Sequence, residues 1–226
     1  MEDPETIKKE RLVSKGAEAS LYSGHWFEKE VIFKHRLPKK YRLESLDKTI
    51  RRMRTLNEAR ALIKVKTYGI NVPSVYEIDY PSATIVMKYI HGEKLKSILD
   101  DLVEAKKVQF FERVGQYIAL LHINGHIHGD ITTSNIIITP QQECFLIDFG
   151  LHEYSDSIED KSVDLHLLKR VLISSHGQYY RLCYDAFLKG YREKYHSHNS
   201  NECEAIIKNI KVIETRGRYV KKEDRL

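Results

Sequence analysis

Two short segments near the middle of the chain carry carboxylate and amide side chains at spacings suited to phosphate chemistry. Asn135 follows Asp130 by five positions, and Asp148 begins the triplet Asp148-Phe149-Gly150. An aspartate at position 130 can accept a hydroxyl proton, while an amide and a second carboxylate offer oxygen ligands to Mg²⁺. We therefore predict Asp130 as the catalytic residue and Asn135 and Asp148 as ligands of the Mg²⁺ that bridges the phosphates of ATP.

The surroundings of these segments support that interpretation. The first reads His128-Gly129-Asp130 and continues to Asn135, and the apolar runs 136–138 and 144–147 flank the two segments. Such strand–turn–strand contexts are typical of the catalytic and metal-binding loops of the protein-kinase fold. The structural alternative is that Asp130 caps a turn and Asp148 lies in a hairpin.

A lysine and a glutamate upstream complete the expected set. Lys34 ends the apolar run Val31-Ile32-Phe33, and Glu58 lies on the first helix after it. A phosphate-binding lysine on a flexible stem needs a carboxylate to aim it, so we predict a pair of Lys34 with Glu58. Taken singly, each could instead be an ordinary surface residue.

The expected nucleotide loop departs from the usual kinase pattern. It comprises Gly16, Ala17, Glu18 and Ala19, with one glycine where the GxGxxG pattern has three. Fewer glycines leave fewer backbone positions free to fold tightly over phosphates. Glu18 is a poor neighbour for a triphosphate unless it points away or pairs with a base. Met87 and Tyr89, in the expected hinge, are further candidates for nucleotide contact.

Periodicity and turn residues place these side chains on an α+β framework. Alternating residues and turns predict a small antiparallel sheet before a helix over 49–68, then strands over 75–78 and 83–87. Apolar periodicity predicts four more helices, over 110–124, 163–172, 180–195 and 202–213. We expect a two-lobed, protein-kinase-like fold with lobes 1–91 and 92–226 and the site in the cleft between them.

The second lobe is expected to be minimal. Gly129 stands where regulated kinases carry the arginine that grips an activation-loop phosphate, which argues against that switch. Asp164 is expected to start the next helix, which leaves positions 151–163 after Gly150, too few for a full activation segment. His122, His126 and His128 lie close in sequence but lack a fourth zinc ligand, so we expect His128 to be a packed loop residue. We expect His196 and His198 to lie in a loop rather than to bind metal.

Composition excludes several protein classes. The 226 residues contain three cysteines without CxxC spacing, which argues against a disulfide framework and for a reducing, cytoplasmic setting. The apolar runs are too short to span a membrane, and the acidic N-terminus does not resemble a signal peptide. We expect no membrane association; a eukaryotic source would add a nuclear location.

Positive charge is concentrated in the first lobe. Residues 1–91 carry 18 Lys and Arg against 12 Asp and Glu, whereas residues 92–226 carry 19 against 20. Eight bases and two acids lie in the segment 36–54, called the basic patch below. Such a patch can attract phosphate-rich partners, but it can equally be a solvated helix face.

Nearly the whole chain is similar to the small atypical serine/threonine kinases of the KEOPS complex, the PRPK type. The resemblance rests on the loop 15–19, the segment 34–42, Leu46-Asp47, the helix segment 57–60, and the HGD-x-T-T-S-N pattern of 128–135. The truncated segment after Asp148-Phe149-Gly150 adds to it. RIO kinases are related in size but use a different metal-loop triplet, so we expect the chain to lie outside that group.

The resemblance implies an ATP-dependent kinase or ATPase that supports threonylcarbamoyladenosine modification of tRNA. It implies an ASKHA-fold threonylcarbamoyltransferase subunit as partner and a small KEOPS subunit on the first lobe. A basic tail, here Arg216 to Lys222 interrupted by Tyr219 and Val220, is expected to contact the partner or tRNA, and the basic patch is expected to help bind tRNA. The alternatives are a nucleotide-binding scaffold without turnover and a small-molecule phosphotransferase.

Overall fold

The computed structural model describes residues 7–216, which form two compact units. The first comprises the chain through His91 together with residues 145–150, and the second comprises residues 92–144 and the chain from Leu151 onward. Residues 217–222 of the expected basic tail lie outside the described residues.

The first unit is a five-stranded antiparallel sheet with one long helix. The strands are β1 (Ile7–Lys15), β2 (Ala19–Trp26), β3 (Lys29–Arg36), β4 (Val75–Asp79) and β5 (Thr84–Lys88), in the order β1-β2-β3-β5-β4, and the helix is α1 (Glu44–Lys66). Alternation along β3 buries Val31 and Phe33, which cluster with Val86 of β5. This sheet confirms the strands predicted from alternation and turn residues.

Helix α1 begins five residues earlier than the predicted start at position 49. The Asp47 backbone N–H donates to Leu43 O at 2.8 Å, which closes the first turn. The Asp47 side chain accepts hydrogen bonds from Lys39 N at 3.2 Å and Arg51 Nε at 2.6 Å. Apolar spacing misses this start because charged residues form the first turn.

The second unit is mostly helical. Its elements are β6 (Glu93–Lys94), α2 (Leu95–Ile98), α3 (Glu104–Ile123), β7 (His126–Ile127), β8 (Ile136–Ile138), β10 (Glu153–Tyr154), α4 (Ile158–Ser175) and α5 (Tyr180–Arg216), while β9 (Cys144–Leu146) crosses the boundary between units. Helices α3 and α5 approach closely, since a Cβ built on Gly115 would lie 2.1 Å from Phe187 O. The short strands β6, β7 and β10 carry too few residues to show alternation.

The start of one helix in this unit corrects the sequence prediction. Helix α4 begins at Ile158 because the Ser157 side chain caps it, accepting from Glu159 N at 3.1 Å and Asp160 N at 3.4 Å. Asp164 therefore lies inside α4. Only residues 151–157 lie between Gly150 and the start of this helix. The two helices predicted over 180–195 and 202–213 are both present, because the non-helical Asn199 divides the interval α5 into two helical segments. His196 and His198 lie in this interval and not in a loop.

The three cysteines lie in the interior of the structure. Cys144, Cys183 and Cys203 are free and buried, and burial raises their pKa values, that of Cys144 to about 12. No helix within residues 7–216 is long and apolar enough to cross a membrane.

Candidate active site

Lys34 lies at the centre of a charged network in the first unit. It sits near the end of β3, and its Nζ donates to Glu58 Oε1 at 2.5 Å and to Asp148 Oδ1 at 2.7 Å. Burial lowers the pKa of the lysine, but the two carboxylates more than compensate and raise it above its usual value. The predicted pairing of Lys34 with Glu58 is therefore present, and Asp148 joins it.

Glu58 projects from α1 and uses both carboxylate oxygens. Its Oε2 accepts from Arg36 Nη2 at 2.6 Å, so the two oxygens bind two different cations. Arg36 is only 3% exposed. It therefore belongs to this network and not to the solvent-facing basic patch in which the sequence analysis counted it.

The single-glycine loop is held by bases. Glu18 accepts from Arg54 Nη1 at 2.7 Å and Arg36 Nη1 at 3.2 Å, and Lys39 Nζ hydrogen-bonds to Ala17 O. Burial raises the pKa of Glu18, but the hydrogen bonds and charges of the two arginines outweigh it and hold the pKa below its usual value. The condition set for Glu18 beside a triphosphate, pairing with a base, is met. Gly16 N donates to Ala19 O at 2.9 Å and closes the turn.

Of the two expected hinge residues, Met87 lies near the end of β5 and Tyr89 follows that strand. Met87 is opposite Ile32 of β3 in the sheet register. The Tyr89 backbone N–H donates to Glu30 O at 3.1 Å. That donor is used within the unit, so any contact of Tyr89 with a nucleotide base would come from its carbonyl or side chain. A role for Met87 and Tyr89 in nucleotide binding stays a prediction.

Asp148 has a left-handed backbone conformation, with φ of 63°. Aspartate tolerates this region better than most residues, and such conformations cluster at functional sites. Its side chain is 47% exposed, and Oδ1 accepts from Gly150 N at 3.2 Å. A half-exposed carboxylate beside a buried lysine is a hard oxygen ligand of the kind that Mg²⁺ prefers.

Asp130 and Asn135 are paired within the second unit. Asn135 Nδ2 donates to Asp130 Oδ2 at 2.8 Å and to Asp130 O at 3.0 Å. With its nitrogen turned to Asp130, the amide has its oxygen available as a ligand. Asn135 ends a 3-10 turn, residues 133–135, just before β8, so the predicted turn–strand context is correct.

Asp164 is a residue whose role the sequence analysis missed. It is fully buried, and it accepts from the backbone N–H groups of His128 and Gly129, both at 2.9 Å, and from His122 Nε2 at 3.1 Å. Burial raises the pKa of Asp164, but hydrogen bonds and the charges of His122 and His128 lower it below its usual value. The carboxylate thus fixes the backbone that leads into Asp130. An aspartate on the apolar stretch of a helix was the available signal.

Gly129 is required by its backbone geometry. Its φ is 78°, and a Cβ built there would lie 2.4 Å from Leu151 O. An arginine at this position would clash with that carbonyl. His128 beside it is 1% exposed, which confirms the prediction of a packed loop residue.

The histidines near the catalytic loop and in α5 have protein partners. His122 contacts Asp164 and Tyr191, as a core residue does. Within residues 7–216, the only three donors close enough to share an ion are His196, Cys203 and Glu204, with atoms within 4.8 Å. Glu204 already accepts from Arg192 Nε at 2.9 Å, and burial raises the pKa of Cys203 to about 11. A paired carboxylate and a protonated thiol make this group a poor metal site.

The chemistry of the predicted metal ligands suits Mg²⁺. Asp148 offers a carboxylate oxygen and Asn135 an amide oxygen, and Mg²⁺ takes such hard oxygen ligands from one or two side chains beside substrate phosphates. The residues present therefore fit the ion, each within its own unit.

Comparison with protein-family models gives a match to the RIO domain over residues 26–161. This range contains Lys34, Glu58, Asp130, Asn135 and Asp148. The Asp148-Phe149-Gly150 triplet was expected to separate the chain from the RIO group, and the match shows that expectation to be wrong at the level of the domain family.

Comparison with curated proteins gives relatives of two lengths. "KEOPS complex subunit Bud32" of Pyrococcus abyssi is 41% identical over 215 residues, covering 92% of this chain and 96% of that protein. The "probable bifunctional tRNA threonylcarbamoyladenosine biosynthesis protein" of Methanococcus vannielii is 40% identical over 92% of this chain but only 36% of its own length. The protein of that name from Methanocaldococcus jannaschii is 37% identical, and the match covers 37% of the length of that protein. The chain thus belongs to the RIO domain family and, within it, to the atypical kinase-like proteins of the Bud32 type.

Proposed function

We propose that the chain is a Mg²⁺- and ATP-dependent serine/threonine phosphotransferase and ATPase. The observation that carries this is the double pairing of Lys34 with Glu58 and Asp148. A lysine aimed by one carboxylate toward a second, half-exposed one is an arrangement that can hold phosphates beside a metal ion.

Each predicted site residue has a role in the proposed reaction. Lys34 binds phosphate oxygens, and Glu58 keeps it in place. The loop of Gly16, Ala17, Glu18 and Ala19 covers the nucleotide, and Met87 and Tyr89 contact the base. In the second unit, Asp130 accepts the proton of the attacking hydroxyl or water, and its hydrogen bond from Asn135 fixes the carboxylate plane.

Asn135 and Asp148 would hold Mg²⁺, which neutralises the charge that spreads over the phosphates during transfer. The loop 128–130 is held by Asp164, so Asp130 needs little reorganisation before it accepts a proton.

The proposed biological setting is a KEOPS complex that supports threonylcarbamoyladenosine modification of tRNA. Support comes from the printed name of the Pyrococcus relative, which this chain matches over nearly its full length. In the bifunctional relatives the matching region is a little over a third of a longer protein, which suggests a functional link with the remainder. We infer an ASKHA-fold catalytic partner, a small subunit on the first unit, tRNA contact through the basic patch and tail, and a cytoplasmic location.

Turnover by the purified chain tests the proposal. ATP hydrolysis is measured with and without Mg²⁺, alone and with the ASKHA-fold partner, for the natural chain and for Asp148→Asn. We expect Mg²⁺-dependent hydrolysis that the variant loses while it still folds, with a melting temperature lowered by the loss of the ion pair with Lys34.

Two results would contradict the proposal. Nucleotide binding without hydrolysis in either condition would indicate a scaffold. Rapid phosphorylation of a sugar or an antibiotic in a substrate screen would indicate a small-molecule phosphotransferase.

A further inference from the structure

Arg36 lies on the same face of β3 as Lys34, two positions further along the strand. In the register of the sheet it is opposite Ala19, the last residue of the nucleotide loop. Its side chain is nearly completely buried. An arginine in this place can reach both the loop and the helix that carries Glu58.

The guanidinium connects three parts of the candidate site. Nη2 donates to Glu58 Oε2 at 2.6 Å, and Nη1 donates to Glu18 Oε2 at 3.2 Å. Nη2 also lies 3.3 Å from a Cβ built on Gly150, so the group packs directly against the residue that ends the metal-binding triplet. The nucleotide loop, α1 and the triplet therefore all contact the side chain of Arg36.

The division of the Glu58 carboxylate explains what the arginine contributes. Oε1 binds Lys34 and Oε2 binds Arg36, so both oxygens are held and the carboxylate plane is fixed. With Lys34 as its only partner, the carboxylate could rotate and carry the ammonium group with it. The planar, permanently charged guanidinium is suited to preventing this rotation.

One atom of Arg36 has no such partner. Nε is the one buried side-chain nitrogen or oxygen within residues 7–216 that lacks a hydrogen bond. A buried donor without a partner costs free energy of folding. That cost is consistent with an arginine placed for the two contacts of its terminal nitrogens rather than for stability.

We propose that Arg36 is a positioning residue for phosphoryl transfer. It acts through Glu58 to hold Lys34 at the phosphates, and through Glu18 to hold the nucleotide loop at a fixed distance from the same carboxylate. This inference rests on the proposed function, because it concerns the placement of Lys34 in that reaction.

The test is a double-mutant cycle on the ATPase rate. Arg36→Met, Glu58→Gln and the double variant are compared with the natural chain, with kcat and KM for ATP measured separately. We expect Arg36→Met to lower kcat by about 10- to 100-fold, the range that small misplacement of a reacting group produces. We expect losses well below additive: in the Glu58→Gln background, Arg36→Met should slow kcat by much less than it does in the natural chain, because only its contact with Glu18 is left to lose and Glu18 keeps Arg54.

Two further variants keep the result decisive. Arg36→Lys retains the charge but lacks the two terminal nitrogens that bind Glu58 and Glu18 at the same time. It should therefore also lower kcat. This variant replaces Arg36→Met if the latter does not fold. Lys161→Met removes another buried cation, one bound to Glu202 at 2.8 Å, and should leave kcat unchanged.

The outcomes separate this proposal from the proposed function. A folded Arg36 variant with unchanged kcat, or fully additive losses in the cycle, overturns the positioning role. If Asp148→Asn is inactive in the same assay, the proposed function still stands. If Asp148→Asn is as active as the natural chain, the proposed function itself fails.

Discussion

Lys34 Nζ lies 2.7 Å from Asp148 Oδ1, although 114 positions separate the two residues in the chain. The contact joins the predicted phosphate-binding lysine to the predicted metal-binding carboxylate. Glu58 Oε1 accepts a hydrogen bond from the same ammonium group at 2.5 Å. A buried cation between two carboxylates is stable only while both the charge and the hydrogen bonds are satisfied.

The shared carboxylate of Glu58 predicts unequal stability losses in two variants. Glu58→Gln removes the charge that faces both Lys34 and Arg36, so unfolding free energy should fall by about 3–5 kcal/mol. Lys34→Met should cost less, because Glu58 keeps Arg36. Urea denaturation of both variants measures the difference. A Lys34→Met variant that is at least as destabilised as Glu58→Gln would contradict the shared-carboxylate account.

Gly69 serves as a control for substitution of Gly129 in the catalytic loop, because the two residues have similar backbone conformations. Both have positive φ, 78° and 81°, but a Cβ on Gly69 meets nothing within 4 Å. Gly69→Ala should cost about 1–2 kcal/mol of backbone strain and leave ATP turnover unchanged. Gly129→Ala adds the clash with Leu151 O and should lose more stability and most turnover. Thermal melting and hydrolysis assays check this; equal effects of the two variants would exclude the clash.

Asp164 predicts a specific pH dependence of stability. Its pKa in the folded protein is lowered below the ordinary value of 3.8, so its stabilising effect is fully present above that value and is lost as pH falls through the lowered pKa. In Asp164→Asn, an uncharged amide replaces the carboxylate that accepts hydrogen bonds from the backbone N–H groups of His128 and Gly129. The variant should therefore have a lower melting temperature at neutral pH.

Melting temperatures of both proteins, followed from neutral pH into the acid range, provide the measurement. The two curves should converge in acid, where the natural side chain is also uncharged. The variant should also lose kcat while retaining KM for ATP, since Asp164 holds the loop of Asp130. A gap that stays constant with pH would show that the charge of Asp164 does not matter.

The role of the basic patch in tRNA binding can be tested at exposed lysines. Arg51 binds Asp47 and Arg54 binds Glu18, so neutralising either removes an ion pair as well as a charge. Lys40 and Lys48 are exposed. The variant Lys40→Gln, Lys48→Gln should weaken tRNA binding and reduce the slope of log affinity against log salt by about 1 to 2.

Lys96→Gln is the control for the patch, because Lys96 is exposed on the second unit. It should leave the salt dependence of tRNA binding as it is. An unchanged slope in the double patch variant, or an equal change in the control, would rule out the patch as the tRNA contact.

The sequence predicted the parts of the site that depend on short-range patterns. Lys34 at the end of an apolar strand and Glu58 on the next helix were paired correctly, because alternation and helical spacing fix the faces on which they lie. Asp130 and Asn135 were predicted as a pair from their separation of five, and their side chains are hydrogen-bonded to each other. The Ser157-x-x-Asp160 pattern is typical of a helix N-terminus. The prediction instead used apolar spacing, which placed the start of α4 at position 163 and not at Ile158.

Long-range polar contacts were beyond the sequence. Arg36 was counted as a surface charge, because an isolated arginine in a basic segment carries no sign that Glu58 and Glu18 bury it. Asp164 was taken as a helix start, because its partners His128 and Gly129 lie more than 30 positions away. Burial and hydrogen bonding of such residues follow from tertiary packing, which single-residue preferences do not contain.

The proposed role of Asp130 as proton acceptor can be measured as the rate of phosphate release by the Asp130→Asn variant at saturating ATP and Mg²⁺. The substitution keeps the shape of the side chain and its hydrogen bond from Asn135 but removes the proton acceptor. We expect a rate lower by about 10²- to 10⁴-fold, with ATP affinity and melting temperature unchanged. Release at the rate of the natural chain would contradict it.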